Sequence, residues 1–252
     1  MLDGRALAEK VYTGLPARPL ALGILLAEGS IVTDSFVRIK EKAAARLGVQ
    51  LVRAEIANDA TTESALTTLR DLAQKTDGVI VQLPIPSQID TDALIAAIPD
   101  SKDVDGISPN ARVRPPVAAA VEEILMSELV PTRGKKATVV GSGRLVGAPA
   151  ARLLRELGAE VQVLEKGDSL DVLKDADIIV LGAGEPGLVK PEHLKEGVVL
   201  IDAGTSESNG KVAGDADPAC AEKAALFTPV PGGVGPIAVA MIFKNLFALA
   251  KK

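Results

Sequence analysis

"KKATVVGSGRLVGAPAARLLRELGAEVQVLE", residues 135–165, changes its period twice. A β-branched apolar run from Ala137 to Val140 meets a cluster of glycines. Apolar residues then recur at three and four through Leu153 and Leu154, and alternate again at Val161 and Val163. That order reads as strand, Gly-rich turn, helix, strand. The turn is Gly141-Ser142-Gly143-Arg144-Leu145-Val146-Gly147, a G-x-G-x-x-x-G spacing one residue longer than the usual dinucleotide fingerprint. Its physical requirements are still met. Gly141 and Gly143 let the backbone approach a pyrophosphate, and the helix that follows offers free N–H groups and the positive end of its dipole. A merely tight strand-to-helix turn is the competing reading.

Glu165 stands 24 residues after Gly141, at the end of the second strand, where an acid bonds the adenine ribose and favours NAD. Lys166 follows it and Arg144 sits in the turn; either cation could pair with the 2′-phosphate of NADP.

Similar apolar runs stand outside this unit: "LALGILLA" (20–27), "VQLVRAEI" (49–56), "GVIVQLPI" (78–85), "ADIIVLGAG" (176–184) and "GVVLIDAG" (197–204). Segments of helical period lie between them, including "SFVRIKEKAAARLG" and "TTESALTTLRDLAQK". Alternating strands and helices predict an α/β protein with mostly parallel sheets. The Pro-rich, unpatterned stretch "SPNARVRPPVAAA" (108–120) is the best domain boundary, giving two α/β lobes with a cleft between them.

Composition narrows the function. A net charge of −5, with no run of Lys and Arg, argues against nucleic acid and against a polybasic membrane patch. No apolar run is long enough to span a bilayer, and the N-terminus lacks a secretory pattern. One cysteine, Cys220, and one histidine, His193, leave little for a disulfide or a zinc site. A cytoplasmic protein with a small-molecule ligand is expected.

The first lobe carries candidates that are weak singly. A helix from about Ser35, capped by Thr33, Asp34 or Ser35, places Phe36 and Lys40 on one face. A lone helical lysine is usually solvated surface. "VIVQLPIP" sets a polar Gln82 in an apolar strand and ends it with Pro84 and Pro86; such a glutamine either faces a binding crevice or is satisfied by loop backbone. "SKDVDGISP" brings Asp103 and Asp105 into a turn. "TPVPGGVGP" (228–236) combines stiff and bare backbone, suited to a flat ligand or to a tight entry into a helix with Pro236 in its first turn.

In this order, K…V-Q-L-P-x-P…K-D-V-D-G…G-x-x-x-x-V-G-x-P…P-V-P-G-G-V-G-P, the motifs resemble the bifunctional methylenetetrahydrofolate dehydrogenase/cyclohydrolase family, from near residue 2 to about residue 247. The resemblance implies a folate and catalytic domain over 1–113 plus 230–252, and a Rossmann-like NAD(P)-binding domain over 114–229. It implies oxidation of 5,10-methylene-tetrahydrofolate and hydrolysis of the 5,10-methenyl product to 10-formyl-tetrahydrofolate. Lys40 would handle protons in the hydrolysis, Gln82 would hold that lysine, and Asp105 would bind the pterin. Phe36, Pro84, Gly232, Gly233 and Pro236 would line the folate site. Gly141, Ser142, Gly143, Arg144, Val146, Gly147, Glu165 and Lys166 would bind the nucleotide, with a slight tilt to NADP over NAD from Lys166. A homodimer is usual in the family. The chain departs from the family where Phe36 replaces a tyrosine, where "RPPVAAA" replaces "PCTP", and in its "GSG" turn. Another two-lobed dehydrogenase, of the shikimate or amino-acid type, does not explain "VQLPIP" or "PGGVGP". A folate- or nucleotide-binding protein without catalysis is the remaining alternative.

Overall fold

In a computed structural model that describes residues 1–16, 18–28, 31–208 and 211–250, the strands and helices divide between two units. One comprises Val11–Pro116 with Val239–Lys252, the other Met1–Lys10 with Val117–Ala238. The chain begins with α1 (Gly4–Thr13), β1 (Ala21–Ala27), α2 (Ile31–Leu47), β2 (Gln50–Ile56), α3 (Thr62–Lys75), β3 (Gly78–Val81) and α4 (Thr91–Ala96). It continues with α5 (Pro116–Ser127), β4 (Lys136–Val140), α6 (Gly147–Glu156), β5 (Glu160–Leu164), β6 (Ile178–Leu181) and β7 (Val198–Asp202). The short strands β8 (Ser206–Ser208) and β9 (Lys211–Ala213), then β10 (Ala224–Phe227) and α7 (Val234–Leu249), complete it.

The unit built on Val11–Pro116 has a parallel sheet ordered β2-β1-β3. Both faces of β1 are buried, so its sequence is apolar throughout. Leu22, Ile24 and Leu26 pack with Phe243 and Leu246 of α7, while Leu25, on the opposite face, packs with Leu69 and Leu72 of α3. Gly23 lets α3 come close, since a Cβ there would lie 2.7 Å from Leu72 Cγ. Each such buried Leu, Ile or Phe contributes about 1.5–3 kcal/mol relative to exposure.

The other unit has a parallel sheet ordered β10-β7-β6-β4-β5. The chain enters at β4, goes out to β5, and returns to β6 on the opposite side. The strand order therefore reverses between β4 and β6, the point at which open α/β sheets bind ligands outside their carboxyl ends. Between β5 and β6 the crossover is only a 3₁₀ turn, Leu170–Asp175, capped by Ser169.

One expectation is corrected. Helix α2 begins at Ile31, not near Ser35, so Thr33, Asp34 and Ser35 lie within it; cap-forming residue types followed by apolar residues look the same whether the helix starts at them or a turn earlier. Strand β3 ends at Val81, so Gln82 stands at its carboxyl end. The Gln82 N–H makes the last ladder bond, to the Leu25 carbonyl at 2.8 Å, and Pro84 and Pro86 have no N–H to continue it.

Candidate functional site

Gln82 follows the carboxyl end of β3, where the strand has finished but its side chain is still held. The Gln82 Nε2 donates to the Leu83 carbonyl at 3.1 Å, which turns Oε1 toward α2, and there Lys40 Nζ donates to it at 2.7 Å. Lys40 is only 9% exposed. Burial pulls its pKa down, while the nearby Asp105 carboxylate pulls the other way. Asp105, partly buried, is pushed up to about 6 by desolvation, against the opposing effect of Lys40 and with reinforcement from Asp103. Both members of the pair are thus moved toward their neutral forms, which lowers the cost of passing a proton to or from either.

The loop carrying Asp105 is fixed from beneath. The Val79 N–H donates to the Lys102 carbonyl at 2.7 Å and Val79 bridges Asp103, so the K-D-V-D-G segment runs beside β3. Lys102 Nζ bonds the Ala73 and Thr76 carbonyls, closing the end of α3. Asp103 is fully buried and accepts the Ser108 N–H at 2.7 Å. Asn245 of α7 donates to the Val104 and Arg114 carbonyls, both at 2.9 Å, clamping the peptide between the two aspartates. Nothing in the sequence marked Asn245, because an asparagine on an apolar helix reads as ordinary surface. Phe36 is on α2, one turn before Lys40; its side chain lies outside the described residues. Pro84 is exposed in the loop after Gln82, and its peptide bond with Leu83 is cis.

In the other unit the loop 228–236 is set by backbone contacts. Gly232 has φ 109°, which a side chain rarely permits. The Gly233 N–H donates to the Pro229 carbonyl at 2.7 Å, and a Cβ on Gly233 would lie 2.6 Å from that oxygen. Pro236 occupies the first turn of α7, as its missing N–H allows. The chain's first residues brace this loop: the Leu2 N–H donates to the Phe227 carbonyl at 2.9 Å, and Gly4 lies directly against the carbonyls of Gly232 and Gly233.

The Gly-rich turn occupies the place where the strand order reverses. Gly141 has φ 92°, and a Cβ on it would meet the Gly182 carbonyl at 2.6 Å. A Cβ on Gly147 would overlap the Gly141 carbonyl, so the third glycine, although displaced by one position, is the one that lets α6 start against the turn. Among the described residues nothing lies within 4 Å of a Cβ on Gly143, and Ser142, Gly143 and Arg144 are exposed. Val146 precedes α6 without a side-chain cap. An open glycine surface next to a helix start that no side chain caps fits a pyrophosphate. Glu165 and Lys166 follow β5 in an exposed turn closed by the Glu165 N–H on Asp168 Oδ2 at 2.8 Å.

Two carboxylates escaped the sequence reading. Asp202 ends β7 and Asp215 follows β9; they are 1% and 0% exposed, and both bond backbone N–H groups. Their one signal was an acid directly after the apolar run "VVLI". Among the described residues no group of three His, Cys, Asp or Glu is placed to hold a metal ion. Cys220 is buried, and desolvation pushes its thiol up to about 11, away from the thiolate. No helix among the described residues is long and apolar enough to cross a membrane.

Residues 2–105 match the catalytic domain of tetrahydrofolate dehydrogenase/cyclohydrolase, and residues 115–252 match the NAD(P)-binding domain of the same enzymes. The chain is 36% identical over 271 residues to the bifunctional protein FolD of Halothermothrix orenii, covering 97% of this chain and 95% of that protein. Among solved structures, the Campylobacter jejuni bifunctional methylenetetrahydrofolate dehydrogenase/cyclohydrolase superposes with a TM-score of 0.91 at 30% identity, covering 98% and 97% of the two chains. The Trypanosoma brucei enzyme, complexed with NADP cofactor and inhibitor, gives 0.91 at 31% identity, covering 99% and 96%.

Proposed function

Since the chain belongs to the tetrahydrofolate dehydrogenase/cyclohydrolase family, we propose that it carries both reactions, oxidising 5,10-methylene-tetrahydrofolate with NAD(P)⁺ and hydrolysing the 5,10-methenyl product to 10-formyl-tetrahydrofolate. The observation that carries the reading is Lys40, buried, depressed in pKa and bonded to Gln82 beside Asp105. The nicotinamide, when bound, supplies the two-electron acceptor. The hydrolysis falls to the side chains. Lys40 in its neutral form takes a proton from water as the water oxygen bonds to the methenyl carbon; it then returns that proton to the pterin nitrogen on this carbon, whose C–N bond breaks as the new hydroxyl gives its own proton to solvent and becomes the formyl C=O. The cationic substrate disfavours a second positive charge beside it, which keeps Lys40 neutral when needed. Gln82 fixes the amine through a bond that its own contact with Leu83 orients. Asp105 receives pterin N–H donors, and Phe36 and Pro84, in the same unit, shape the folate site.

The nucleotide is held by Gly141, Ser142, Gly143, Arg144, Val146 and Gly147, with Glu165 and Lys166 at its adenosine end. Lys166 and Arg144 can pair with a 2′-phosphate, and we read a slight NADP preference from them over the opposing effect of Glu165. A homodimer is the commonest assembly of soluble homo-oligomers, and a single cysteine with a single histidine suits the cytoplasm.

The test is methylene-tetrahydrofolate with NAD and NADP side by side, following reduced cofactor and methenyl product separately. Both reactions, with NADP modestly favoured, are expected. Methenyl product that accumulates without hydrolysis would leave a dehydrogenase alone, and no reduced cofactor with either nucleotide would leave a binding protein.

A further inference from the structure

The three strands at the reversal of strand order end level with one another: Val140 pairs with Leu181, and Leu181 with Asp202. The turns that follow them therefore lie side by side, and the contact between Gly141 and the Gly182 carbonyl makes it direct. In the turn after β6, three consecutive N–H groups point inward to one carboxylate. Asp215 Oδ2 accepts from Ala183 at 2.7 Å and Gly184 at 3.1 Å, and Oδ1 accepts from Glu185 at 2.8 Å. From the other side, Ser206 Oγ donates to the Gly184 carbonyl at 2.8 Å.

Asp215 is itself held in place by Asp202. Asp202 Oδ1 accepts the Gly204 and Asp215 N–H groups at 3.0 and 3.2 Å, and Oδ2 accepts that of Ala216 at 2.9 Å. Its own N–H donates to Thr228 Oγ1 at 2.7 Å, at the head of the 228–236 loop. No larger residue fits around the pair: a Cβ on Gly204 would come within 2.2 Å of Asp215, and one on Gly214 equally close to Asp202 Oδ2. Two adjacent buried carboxylates repel, and the repulsion adds to desolvation in holding the Asp202 carboxyl near 6. Apolar residues would fill such a site without that cost, and replacing buried ions by apolar groups is often neutral or stabilising. What apolar residues could not do is aim three loops by their N–H groups.

We propose that Asp215, seated by Asp202 and assisted by Ser206, is a positioning residue for the nicotinamide end of the dinucleotide. With the pyrophosphate at the start of α6 and the adenosine toward β5, the turn 183–185 borders the remaining half of the cofactor. This rests on the dehydrogenase reading above, and the second reaction separates the two. Methenyl-tetrahydrofolate hydrolysis uses no nicotinamide, so it reports on folding and on the folate site alone.

Asp215→Asn places an amide NH₂ against at least one of the three N–H donors. The affinity for NADP and NAD, measured by equilibrium titration of the full chain, should fall about tenfold or more. Amide exchange at 183–185 in the cofactor-free protein should quicken, while hydrolysis and folate KM stay at parental values. Ser206→Ala, a milder change, should weaken cofactor binding about two- to fivefold with the fold intact. An Asp215→Asn chain that hydrolyses normally and binds both nucleotides as the parent does overturns the proposal. If Asp215→Asn does not fold, unchanged nucleotide affinity in Ser206→Ala overturns it instead. A parent that binds neither nucleotide would overturn the dehydrogenase reading, and the positioning role with it.

Discussion

Lys40 and Asp202 are both ionisable groups shut away from water, at 9% and 1% exposed, and they are satisfied in opposite ways. Lys40 meets a side chain, Gln82, and a neighbouring carboxylate, Asp105. Asp202 meets three backbone N–H groups. A buried charge held by side chains can gain or lose its proton while the backbone stays where it is. One held by backbone cannot be altered without releasing loops. The first arrangement suits a group that must change protonation in each turnover, and the second a group that must keep a surface in place. The same division runs through the two units, one of which offers side-chain chemistry and the other a shaped main chain.

The largest expected effect tests the side-chain arrangement. Lys40→Met should lower methenyl hydrolysis by about 10²–10⁴-fold, the usual cost of losing a positioned acid–base group, while NAD(P)H formation remains measurable. Separate spectrophotometric assays of the two steps decide it. Hydrolysis at the parental rate would end the assignment of Lys40.

The next sharpens the contrast through pH. Asp105 and Asp202 are each raised from the ordinary 3.8 to about 6. A carboxyl whose folded pKa exceeds its unfolded one stabilises the fold below the unfolded value, and that stability is lost as pH rises through the folded value. The window is therefore about pH 4 to 6. Asp105→Asn removes this dependence, so its stability relative to the parent should improve between about pH 4.5 and about pH 7.5, by roughly 2–3 kcal/mol. Asp202→Asn should be less stable than the parent throughout, because an amide cannot accept all three N–H groups. Denaturant titrations at the two pH values give both comparisons. A pH-independent difference for Asp105→Asn would mean that its burial is relieved by water.

What could be read from the sequence follows the same line. Lys40, Gln82 and Asp105 were weak candidates singly, a lysine on a helix, a glutamine after "VIV" and an acid in a turn, and drew attention only through their order along the chain, which resembles the family's. The parallel sheets were legible in the apolar runs, since strands buried on both faces have no alternation to obscure them. Gly147 was visible as a glycine one place late, but the reason, its contact with the Gly141 carbonyl, needs coordinates. Asp202, Asp215, Thr228 and Asn245 were missed for a common cause. Each acts on peptide groups far away in sequence, as Asn245 does on Val104, and a backbone donor or acceptor leaves no residue type to recognise. The start of α2 was misjudged locally, by a run of cap-forming types inside a helix.

The smallest effect concerns the one part of the nucleotide unit where a side chain, not backbone, is expected to choose the ligand. Lys166 stands in the exposed turn after β5, next to Glu165 and before Gly167, whose φ of 100° lets the chain fold back to Asp168. An ammonium so exposed gains little from pairing, about 0.2–1 kcal/mol, because water and salt screen it. Lys166→Ala should therefore raise the KM for NADP only about two- to fivefold and leave that for NAD nearly unchanged. The difference should shrink as ionic strength rises, since the Debye length falls from about 10 Å at 0.1 M salt to about 3 Å at 1 M. Steady-state kinetics with both nucleotides at two salt concentrations measure all three effects. A parent that already prefers NAD would show that Glu165 governs the choice. A loss of affinity for both nucleotides alike would place Lys166 with the residues that hold the turn in shape, on the backbone side of the division drawn above.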